Sequence, residues 1–433
     1  MEIRDPIHGP IEVSPPEKAV IDHPLVQRLR RIRQLGFAED TFPGATHTRF
    51  LHSVGTMHLA GLAFDAVARD LAFVPPSDLA RARATVRLAA LLHDLGHPPM
   101  SHGGERLLPS VRAIGEGTDD RTATHEEMTR ALVLRSDLAD TISREMAGSG
   151  VRPGHVAAVL AGRPLGDDPF TFGSATILPL LGQLIAGELD VDRMDYLLRD
   201  SYFTGVAYGR FEKDWLLSRM GAHRAGPAAC QAIDSTAVHA FEDFLLSRYH
   251  MFLMVYSHPK TAIYHRMLVR FIEGPDGAGL RCPVDEAAFA RCDDEWLLAA
   301  LRASPDPSAR RITTRDPLRL VAEAWDDDAR ALDRLRPALD RALPHDREWL
   351  DAAVEFSKLY PEGVAARPGF PALVVRVRHP GPRRAVLPVH EYSDLFTRQT
   401  RWKRVLRLYC DEGEAQAAGA VLAAVAAGGP EAL

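Results

Sequence analysis

Leu91-Leu-His-Asp-Leu-Gly-His-Pro-Pro-Met-Ser-His102 is the stretch that decides how the first half of this 433-residue chain folds. Apolar residues at helical spacing lead into it, which predicts a buried helix that ends in three histidines and an aspartate. Burying several imidazoles and a carboxylate costs several kcal/mol unless a metal, a proton or mutual hydrogen bonds compensate. A single histidine at a helix end is more often a cap or a hydrogen-bonded core residue. The cluster as a whole indicates a metal site.

His93 and Asp94 in that stretch need further ligands to hold a divalent ion. Neutral imidazoles and carboxylates together suit Zn, Mn, Fe or Ni. The stretch Thr46-His-Thr-Arg-Phe-Leu-His-Ser-Val-Gly55 offers His52, which shares one predicted helix face with Gly55. Because glycine has no side chain, a neighbouring element can approach closely there. His52 is therefore a candidate for a further ligand.

The stretch Glu188-Leu-Asp-Val-Asp-Arg-Met-Asp-Tyr-Leu-Leu-Arg-Asp200 offers a carboxylate. Asp192, Tyr196 and Arg199 recur at i, i+4 and i+7, so a carboxylate, a phenol and a guanidinium share one predicted helix stripe. A second aspartate would complete the neutralisation of a divalent ion. Taken alone, this segment is explained at least as well by a solvated helix face with salt bridges.

The remaining pattern predicts a mostly α fold with a small α+β C-terminal region, divided into residues 1–275 and 276–433. A hairpin is expected within residues 1–15. Helical periodicity is found at about residues 24–36, 49–73, 78–95, 124–147, 175–200 and 235–273. The helix at 24–36 should carry a solvated basic face. Beyond residue 275 we expect short helices, two strands at 372–378 and 384–389 joined by a turn at 380–382, and an Ala-rich helix at 414–427.

The composition favours a globular protein without a general affinity for duplex nucleic acid. Hydrophobic residues make up 46% of the chain, and 52 basic and 58 acidic residues give a net charge of -6. The four cysteines are widely spaced and form no CxxC pair, which argues against a disulfide framework and a cysteine zinc site. With neither a signal peptide nor about 18 consecutive apolar residues, the chain is expected to be cytoplasmic and free of the membrane.

Several unrelated motifs give this chain a resemblance to the HD-domain phosphohydrolases and, within them, to the deoxynucleoside triphosphate triphosphohydrolases. In family order they are Asp5-Pro-Ile-His-Gly9, Gln27-Arg-Leu-Arg30, Gln34-Leu-Gly36, Phe42-Pro-Gly-Ala45, Arg49-Phe-Leu-His-Ser53, His93-Asp-Leu-Gly-His97, Asp190-Val-Asp192 and Val255-Tyr256. The resemblance covers about residues 1–275 and is faint beyond them. It implies an HD-domain helical core and hydrolysis of a deoxynucleoside triphosphate to deoxynucleoside and triphosphate.

The resemblance also implies one divalent transition metal, with Mg accompanying the substrate. The implied ligands agree with the set assembled above on chemical grounds: His52, His93, Asp94 and Asp192. The ion would activate a water for in-line attack on the α-phosphorus, so Asp94 counts among the catalytic residues.

The same resemblance assigns acid–base catalysis to His102 and Glu105. A carboxylate on one ring nitrogen would favour the acid form of the imidazole, which would then protonate the departing 5′ oxygen. The two residues form an i, i+3 pair if the chain is helical there. Alternatively, Glu105 is a plain surface charge.

The resemblance further implies a set of phosphate-binding residues: Arg49, His97, His125, Arg193, Tyr196, Arg248 and Lys260. A simpler role for His125 is a first-turn residue behind the helix cap Thr124. The segment Phe252-Leu-Met254 departs from the family, because a relative is basic there. This departure weakens the assignment of a triphosphate, although Lys260 or His258 could compensate.

Sugar and base contacts are implied for Gln34, Leu35, Asp200 and Tyr256. The ring of Tyr256 would block a 2′ hydroxyl, but a tyrosine in the protein core is an equal alternative. A partial match at Asp5, Gln27 and Arg30 implies a site for an activating nucleotide between subunits of a homo-oligomer, a dimer or tetramer. A hairpin and a solvated basic helix explain these three residues nearly as well.

Two other functions stay open on the sequence alone. The first is an HD phosphatase that uses the same metal in another register and releases orthophosphate from a nucleoside mono-, di- or triphosphate. The second is a nucleotide sensor without catalysis, which the intact ligand set disfavours. A nuclease is the least favoured option, because the basic residues 28–33 lack interleaved aromatic side chains and nucleic-acid binding is therefore not expected.

Overall fold

A computed structural model describes residues 1–166, 168–343, 346–360, 373–378 and 385–428. The chain begins with an antiparallel hairpin in which strand Glu2–Asp5 pairs with Gly9–Glu12. Gly9 has a φ of +73°, a value that favours glycine, and so permits the tight turn. The hairpin expected within residues 1–15 is confirmed.

A helical body follows the hairpin and is centred on helix Arg49–Ala68, which is buried on nearly all sides. This helix packs against Pro76–Leu92 and Val191–Thr204, so the segments that carry the metal-site motifs are neighbours. The other α-helices of this half are Pro15–Ile21, Pro24–Arg28, His125–Arg135, Asp137–Glu145, Pro153–Ala161, Leu178–Ala186, Lys213–Arg219, Val238–Met251 and Pro259–Glu273. Short 3₁₀ turns are found at Leu29–Arg31, Gly36–Asp40, Ser101–Leu107, Ala147–Ser149 and Ser235–Ala237.

Three long helices expected from the periodicity are interrupted in the structure. The first breaks at Ser136, whose side chain caps the next helix by accepting from the backbone NH of Leu138. The second breaks between Gly187 and Asp190, and Asp190 caps the helix that carries Asp192. The third contains a π-helical turn at Phe252–Tyr256. Side-chain caps therefore override an apolar repeat that continues across them.

The prediction of a solvated basic helix at residues 24–36 is wrong in the length of the helix and for Arg28, whereas Arg30 and Arg31 are exposed as expected. The α-helix ends at Arg28, and a 3₁₀ turn covers Leu29–Arg31. Arg28 is fully buried, and its guanidinium donates to the backbone carbonyls of Cys292, Leu95 and His97. The side chain is thus an internal link between three distant segments.

The C-terminal part mixes helices and strands, as expected, and its strands belong to two sheets, one of which is built mostly from residues before position 275. Strand Trp402–Cys410 lies between Arg319–Trp325 and Arg347–Glu355 in an antiparallel sheet. The other sheet comprises Thr171–Phe172, Ala175–Thr176, Met220–Ala225, Ala228–Asp234, Val374–Arg376 and Val386–Pro388. The helices are Glu286–Phe289, Asp294–Ala303, Pro307–Thr314, Asp326–Arg334, Arg336–Ala342, Val389–Tyr392, Leu395–Arg398 and Ala415–Gly428.

The two strands expected near residues 372–378 and 384–389 are confirmed in their described parts, and the turn at 380–382 lies outside the described residues. Strand Val374–Arg376 pairs in parallel with Ala228–Asp234, so residues on both sides of position 275 share one sheet. The domain boundary at 275 stays a prediction. No helix among the described residues is long and apolar enough to cross a membrane.

Candidate metal centre and substrate pocket

The side chains of the four predicted ligands converge from three helices. Nε2 of His52 lies 3.2 Å from Nε2 of His93 and 3.0 Å from a carboxylate oxygen of Asp192. Nε2 of His93 lies 3.3 Å from Asp94 and 3.5 Å from Asp192. His52 comes from the central helix, His93 and Asp94 from the end of the next one, and Asp192 from the first turn of the third.

These four residues fit a single divalent ion. Two ligands bound at about 2.0–2.1 Å in tetrahedral or octahedral geometry are separated by about 2.9–3.4 Å, which matches the distance between the imidazole nitrogens. The surrounding carboxylates also demand a positive charge. Burial would lower the pKa of His52, but hydrogen bonds to Asp192 and Asp195 raise it to about 10. A cation at this point would replace that proton.

Both histidines are oriented by a hydrogen bond at the nitrogen that faces away from the site. Nδ1 of His93 donates to the carbonyl of Ala90 at 2.7 Å, and Nδ1 of His52 donates to Asp195 at 2.7 Å. These bonds place the lone pair of each ring on Nε2, the atom that points toward the proposed ion. The arrangement is typical of histidines that bind metals.

The sequence interpretation missed Asp195, the most connected of these supporting groups. Its carboxylate accepts two bonds of 2.8 Å from Arg199 and one of 2.7 Å from His8, and Arg199 also binds Asp5 at 2.9 Å. Arg199 therefore lies in this buried network and does not face the pocket together with Asp192 and Tyr196, whose helix stripe it was expected to share. Gly55 admits the network, because a Cβ at that position would lie 2.0 Å from Asp195.

Asp94 also connects the proposed metal ligands to a cation and a histidine. Its carboxylate accepts a hydrogen bond from Arg49 and lies 3.3 Å from Nε2 of His97. The guanidinium of Arg49 also donates to Oγ of Ser101 at 2.8 Å. Arg49 is thus fixed from two sides next to the ligand set, where a phosphate would meet it.

His102, Glu105 and His125 form a second cluster, next to the first. The carboxylate of Glu105 lies 2.9 Å from Nδ1 of both histidines. Burial alone would raise the pKa of Glu105, but the hydrogen bonds to His102 and His125 lower it by more, so this carboxylate is ionised. The ring of His125 stacks on that of His97 with centroids 3.9 Å apart. The 3₁₀ turn Ser101–Leu107 supplies the helical spacing expected for the His102–Glu105 pair.

The loop that carries His97 and His102 is held by residues from beyond position 275. Asp294 accepts from the backbone NH of Met100 at 2.8 Å and from that of Arg33 at 2.9 Å. Met100 and Ser101 have φ values of 57° and 55°, which side chains other than glycine rarely adopt. This strained turn therefore depends on Asp294 and on the buried guanidinium of Arg28.

The two clusters open into one pocket of about 620 Å³. All four of the predicted sugar and base residues line it: Gln34, Leu35, Asp200 and Tyr256. The hydroxyl of Tyr256 donates to Asp200 at 2.7 Å, and the same carboxylate lies 2.7 Å from Nε2 of His47. The amide oxygen of Gln34 is buried without a hydrogen-bond partner in the described structure. This polar group is available to a ligand.

The same pocket also contains most of the predicted phosphate residues. Its lining includes Arg49, His97, His125, Arg193, Tyr196 and Arg248. Burial raises the pKa of Tyr196 to about 12, whereas nearby Arg248 and Arg193 act in the other direction. Phe252 also lines the pocket, and its ring lies 5.1 Å from the guanidinium of Arg248.

The remaining predicted residues lie outside this lining. The ammonium of Lys260 donates to the carbonyl of Asp40 at 2.9 Å. Asp5 is buried against Arg199, whereas Arg30 is exposed and donates to the side chain of Gln27 at 2.8 Å. Asp5 and the pair formed by Gln27 and Arg30 thus have different hydrogen-bond partners. Their proposed role in binding an activator stays a prediction.

Comparison with known families agrees with this geometry. Residues 49–200 match the model of the HD domain, and residues 229–328 match that of an HD-associated region. The first match contains all four proposed ligands. The second crosses position 275 and includes Asp294.

Known relatives extend the comparison. The uncharacterized protein YwfO of Bacillus subtilis is 34% identical over 275 residues, which are 62% of this chain and 54% of that protein. The human deoxynucleoside triphosphate triphosphohydrolase SAMHD1 is 32% identical over 227 residues, 49% of this chain and 35% of its own. The chain thus spans about half or less of these relatives. A hypothetical protein from Aquifex aeolicus has a similar structure, with a TM-score of 0.75, 26% identity and coverage of 98% and 99%. The chain belongs to the HD-domain phosphohydrolase superfamily.

Proposed function

We propose that this chain hydrolyses deoxynucleoside triphosphates to deoxynucleoside and triphosphate. The observation that carries the proposal is a single pocket whose lining contains Gln34 and Tyr256, several arginines and three of the four proposed metal ligands. A nucleotide that spans this pocket would place its α-phosphate near the ion. The similarity to SAMHD1, whose name states this activity, supports the same substrate class.

A divalent transition metal, Mn, Fe, Zn or Ni, would supply Lewis acidity and lower the pKa of an attacking water. Mg is proposed to accompany the substrate. Arg49 and His97 lie beside Asp94 and would offset charge on the phosphate as the bond to the 5′ oxygen breaks. His102 would hold the proton for that oxygen on Nε2, because its Nδ1 faces the ionised Glu105.

The sugar would lie against Tyr256, whose position is fixed by Asp200. A ring held in this way leaves little room for a 2′ hydroxyl, which favours deoxyribose. Oxygen atoms of Gln34 and Asp200 would accept from the 3′ hydroxyl. An activating nucleotide at Asp5, Gln27 and Arg30 and assembly into a homo-oligomer remain part of this proposal, with the resemblance as their support.

One observation favours a second candidate, an HD phosphatase that releases orthophosphate. The apolar Phe252 lines the pocket beside Arg248, where the distal phosphates of a triphosphate would need cations, and Lys260 donates to a backbone carbonyl outside the lining. A shorter nucleotide would need fewer charges on this side. The same metal could then meet a terminal phosphate.

Product analysis separates these functions. The purified chain should be incubated with deoxy- and ribonucleoside triphosphates and with monophosphates, each in the presence of Mn, Fe, Zn or Mg. Chromatography that resolves inorganic triphosphate from orthophosphate gives the answer. Inorganic triphosphate with free deoxynucleoside supports the proposal, whereas orthophosphate as the sole phosphorus product contradicts it. No turnover with any metal, with or without an added activating nucleotide, would favour a sensor.

A further inference from the structure

One basic residue in the pocket lining lies far along the chain from the predicted phosphate-binding residues. Lys358 lines the pocket, although it lies beyond the region of family resemblance and outside both family matches. We propose that Lys358 binds the distal phosphates of the substrate, so that the C-terminal part of the chain completes the site. This inference rests on the proposed function and adds a specificity residue to it.

The backbone around Lys358 is held in place by hydrogen bonds to Glu188 and Arg248. A carboxylate oxygen of the buried Glu188 accepts from the backbone NH of Lys358 at 2.8 Å and from the hydroxyl of Ser357 at 3.2 Å. The carbonyl of Phe356 accepts from Arg248 at 2.9 Å, and the ring of Phe356 is buried. The segment 356–358 therefore has a fixed position in the pocket wall.

The carboxylate that holds the backbone of Lys358 also lies near the two arginines proposed to bind phosphate. Glu188 lies 3.7 Å from Arg193 and 3.9 Å from Arg248, and its Oε1 is buried without a hydrogen-bond partner in the described structure. Glu188 thus lies close to both arginines and holds the backbone of Lys358. The three basic residues line the same pocket, where they would attract an anionic ligand.

This group of cations lies on the path that a triphosphate would follow. Tyr196 lies near the metal centre, with its ring centroid 6.4 Å from that of His52, and lines the same pocket as the three basic residues. Phosphates extending from the α-position past Tyr196 would reach Arg193, Arg248 and Lys358. Lysine offers a point charge on a flexible stem, which suits a terminal phosphate without a fixed orientation. Lys358 thus supplies the charge that Phe252 does not.

The test compares Lys358→Met, Lys358→Arg and the matched control Lys403→Met. Lys403 belongs to the same part of the chain but pairs with Asp326 at 3.9 Å, away from the pocket. Calorimetry with inorganic tripolyphosphate and Mg measures binding, and kcat and KM are measured for a deoxynucleoside triphosphate and a monophosphate. Loss of one charge-assisted contact should weaken tripolyphosphate binding and raise the triphosphate KM by about tenfold.

We expect kcat and the monophosphate KM to change less than about twofold in Lys358→Met, since the metal and sugar contacts remain. Lys358→Arg should restore most of the tripolyphosphate affinity, and Lys403→Met should resemble the wild type. Tripolyphosphate affinity that is unchanged in Lys358→Met, or undetectable in the wild type, would overturn the inference. So would an equal loss for mono- and triphosphate.

The proposed function can fail separately. If the wild type releases only orthophosphate, the triphosphohydrolase assignment is wrong, but the tripolyphosphate titration still decides whether Lys358 binds distal phosphates. A tenfold loss in Lys358→Met would then support the inference for a phosphatase substrate. Thermal unfolding of all three variants checks that the anchored segment is intact.

Discussion

The metal end of the pocket and the end proposed to bind the distal phosphates differ in how many contacts hold their residues in place. At the metal end, His52 is oriented by Asp195, and Asp195 is in turn bound by Arg199 and His8. At the distal end, the guanidinium of Arg248 lies over the apolar ring of Phe252, and Lys358 comes from a segment outside both family-model matches. The metal end is buried within several layers of hydrogen bonds, whereas the distal end is held by fewer of them, chiefly those to Glu188 and to the carbonyl of Phe356.

This difference indicates which properties the superfamily fold fixes and which it leaves to vary. When metal ligands are held by several layers of hydrogen bonds, the substitution of one residue disrupts the whole site, because buried charges are left unpaired. A pocket wall held by fewer polar contacts can change its charge at a smaller cost in folding free energy. The chemistry is therefore determined more tightly than the number of phosphates in the substrate.

Removal of a metal ligand should have the largest effect. Asp94→Asn keeps the shape of the side chain but removes a negative charge that both the ion and Arg49 require. We expect turnover to fall by about 1,000-fold or more, since several kcal/mol of transition-state stabilisation depend on the ion. Metal content by mass spectrometry and turnover should fall together. Full activity with stoichiometric metal would show that Asp94 is not a ligand.

Loss of the acid–base pair should affect turnover without affecting the metal. For His102→Asn we expect kcat to fall by about 100- to 1,000-fold with KM nearly unchanged. Glu105→Gln removes the carboxylate that binds His102 and should cause a smaller loss in the same direction. An analogue with a leaving group of low pKa should recover much of the rate in His102→Asn. Equal losses for both substrates would contradict a role in protonation.

The supporting layer should produce an intermediate effect that excess metal reverses. In Asp195→Asn the group that orients His52 is weakened, and metal affinity should fall by about 10- to 100-fold. Titration with metal should then restore turnover toward the wild-type level, which it cannot do for Asp94→Asn. Thermal unfolding separates this effect from a loss of fold, because Asp195 also binds Arg199. Wild-type metal affinity in a folded variant would argue against the positioning role.

The sequence was most informative where chemistry is local. His93, Asp94 and His102 lie within one short stretch, and the residue types alone suggested a metal, whereas the acid role of His102 came from the family resemblance. Helical periodicity placed the main helices, but it could not show that Ser136 or Asp190 would cap a new helix within a repeat.

Other features depend on contacts between distant segments. Arg28 looked like part of a solvated face because its partners, the carbonyls of Leu95, His97 and Cys292, leave no local pattern. A signal for Asp195 did exist: Gly55 lies one turn from His52 and requires a close neighbour. Cys282 and Cys292 likewise have sulfur atoms 3.4 Å apart, both as free thiols, although their spacing suggested no pair.

At the sugar side, Tyr256 should control discrimination between deoxy- and ribonucleotides. Tyr256→Ala removes the ring, and we expect the ratio of kcat/KM for deoxy- over ribonucleoside triphosphate to fall by about tenfold. Tyr256→Phe keeps the ring and loses only the hydrogen bond to Asp200, so the ratio should change less than about threefold. An unchanged ratio in Tyr256→Ala would return this residue to a purely structural role.

The smallest expected effect concerns the apolar wall of the distal end. Phe252→Arg places a cation beside Arg248 in the pocket lining, where the added charge is partly screened and repelled by its neighbour. A gain of about 1 kcal/mol at most is expected for such a site, which corresponds to a KM for triphosphate that is up to about fivefold lower. The KM for monophosphate should not change, because the α-phosphate lies at the metal end. If both KM values fall together, the added charge acts through the general field of the pocket, and the division between a fixed metal end and an adjustable distal end would be lost.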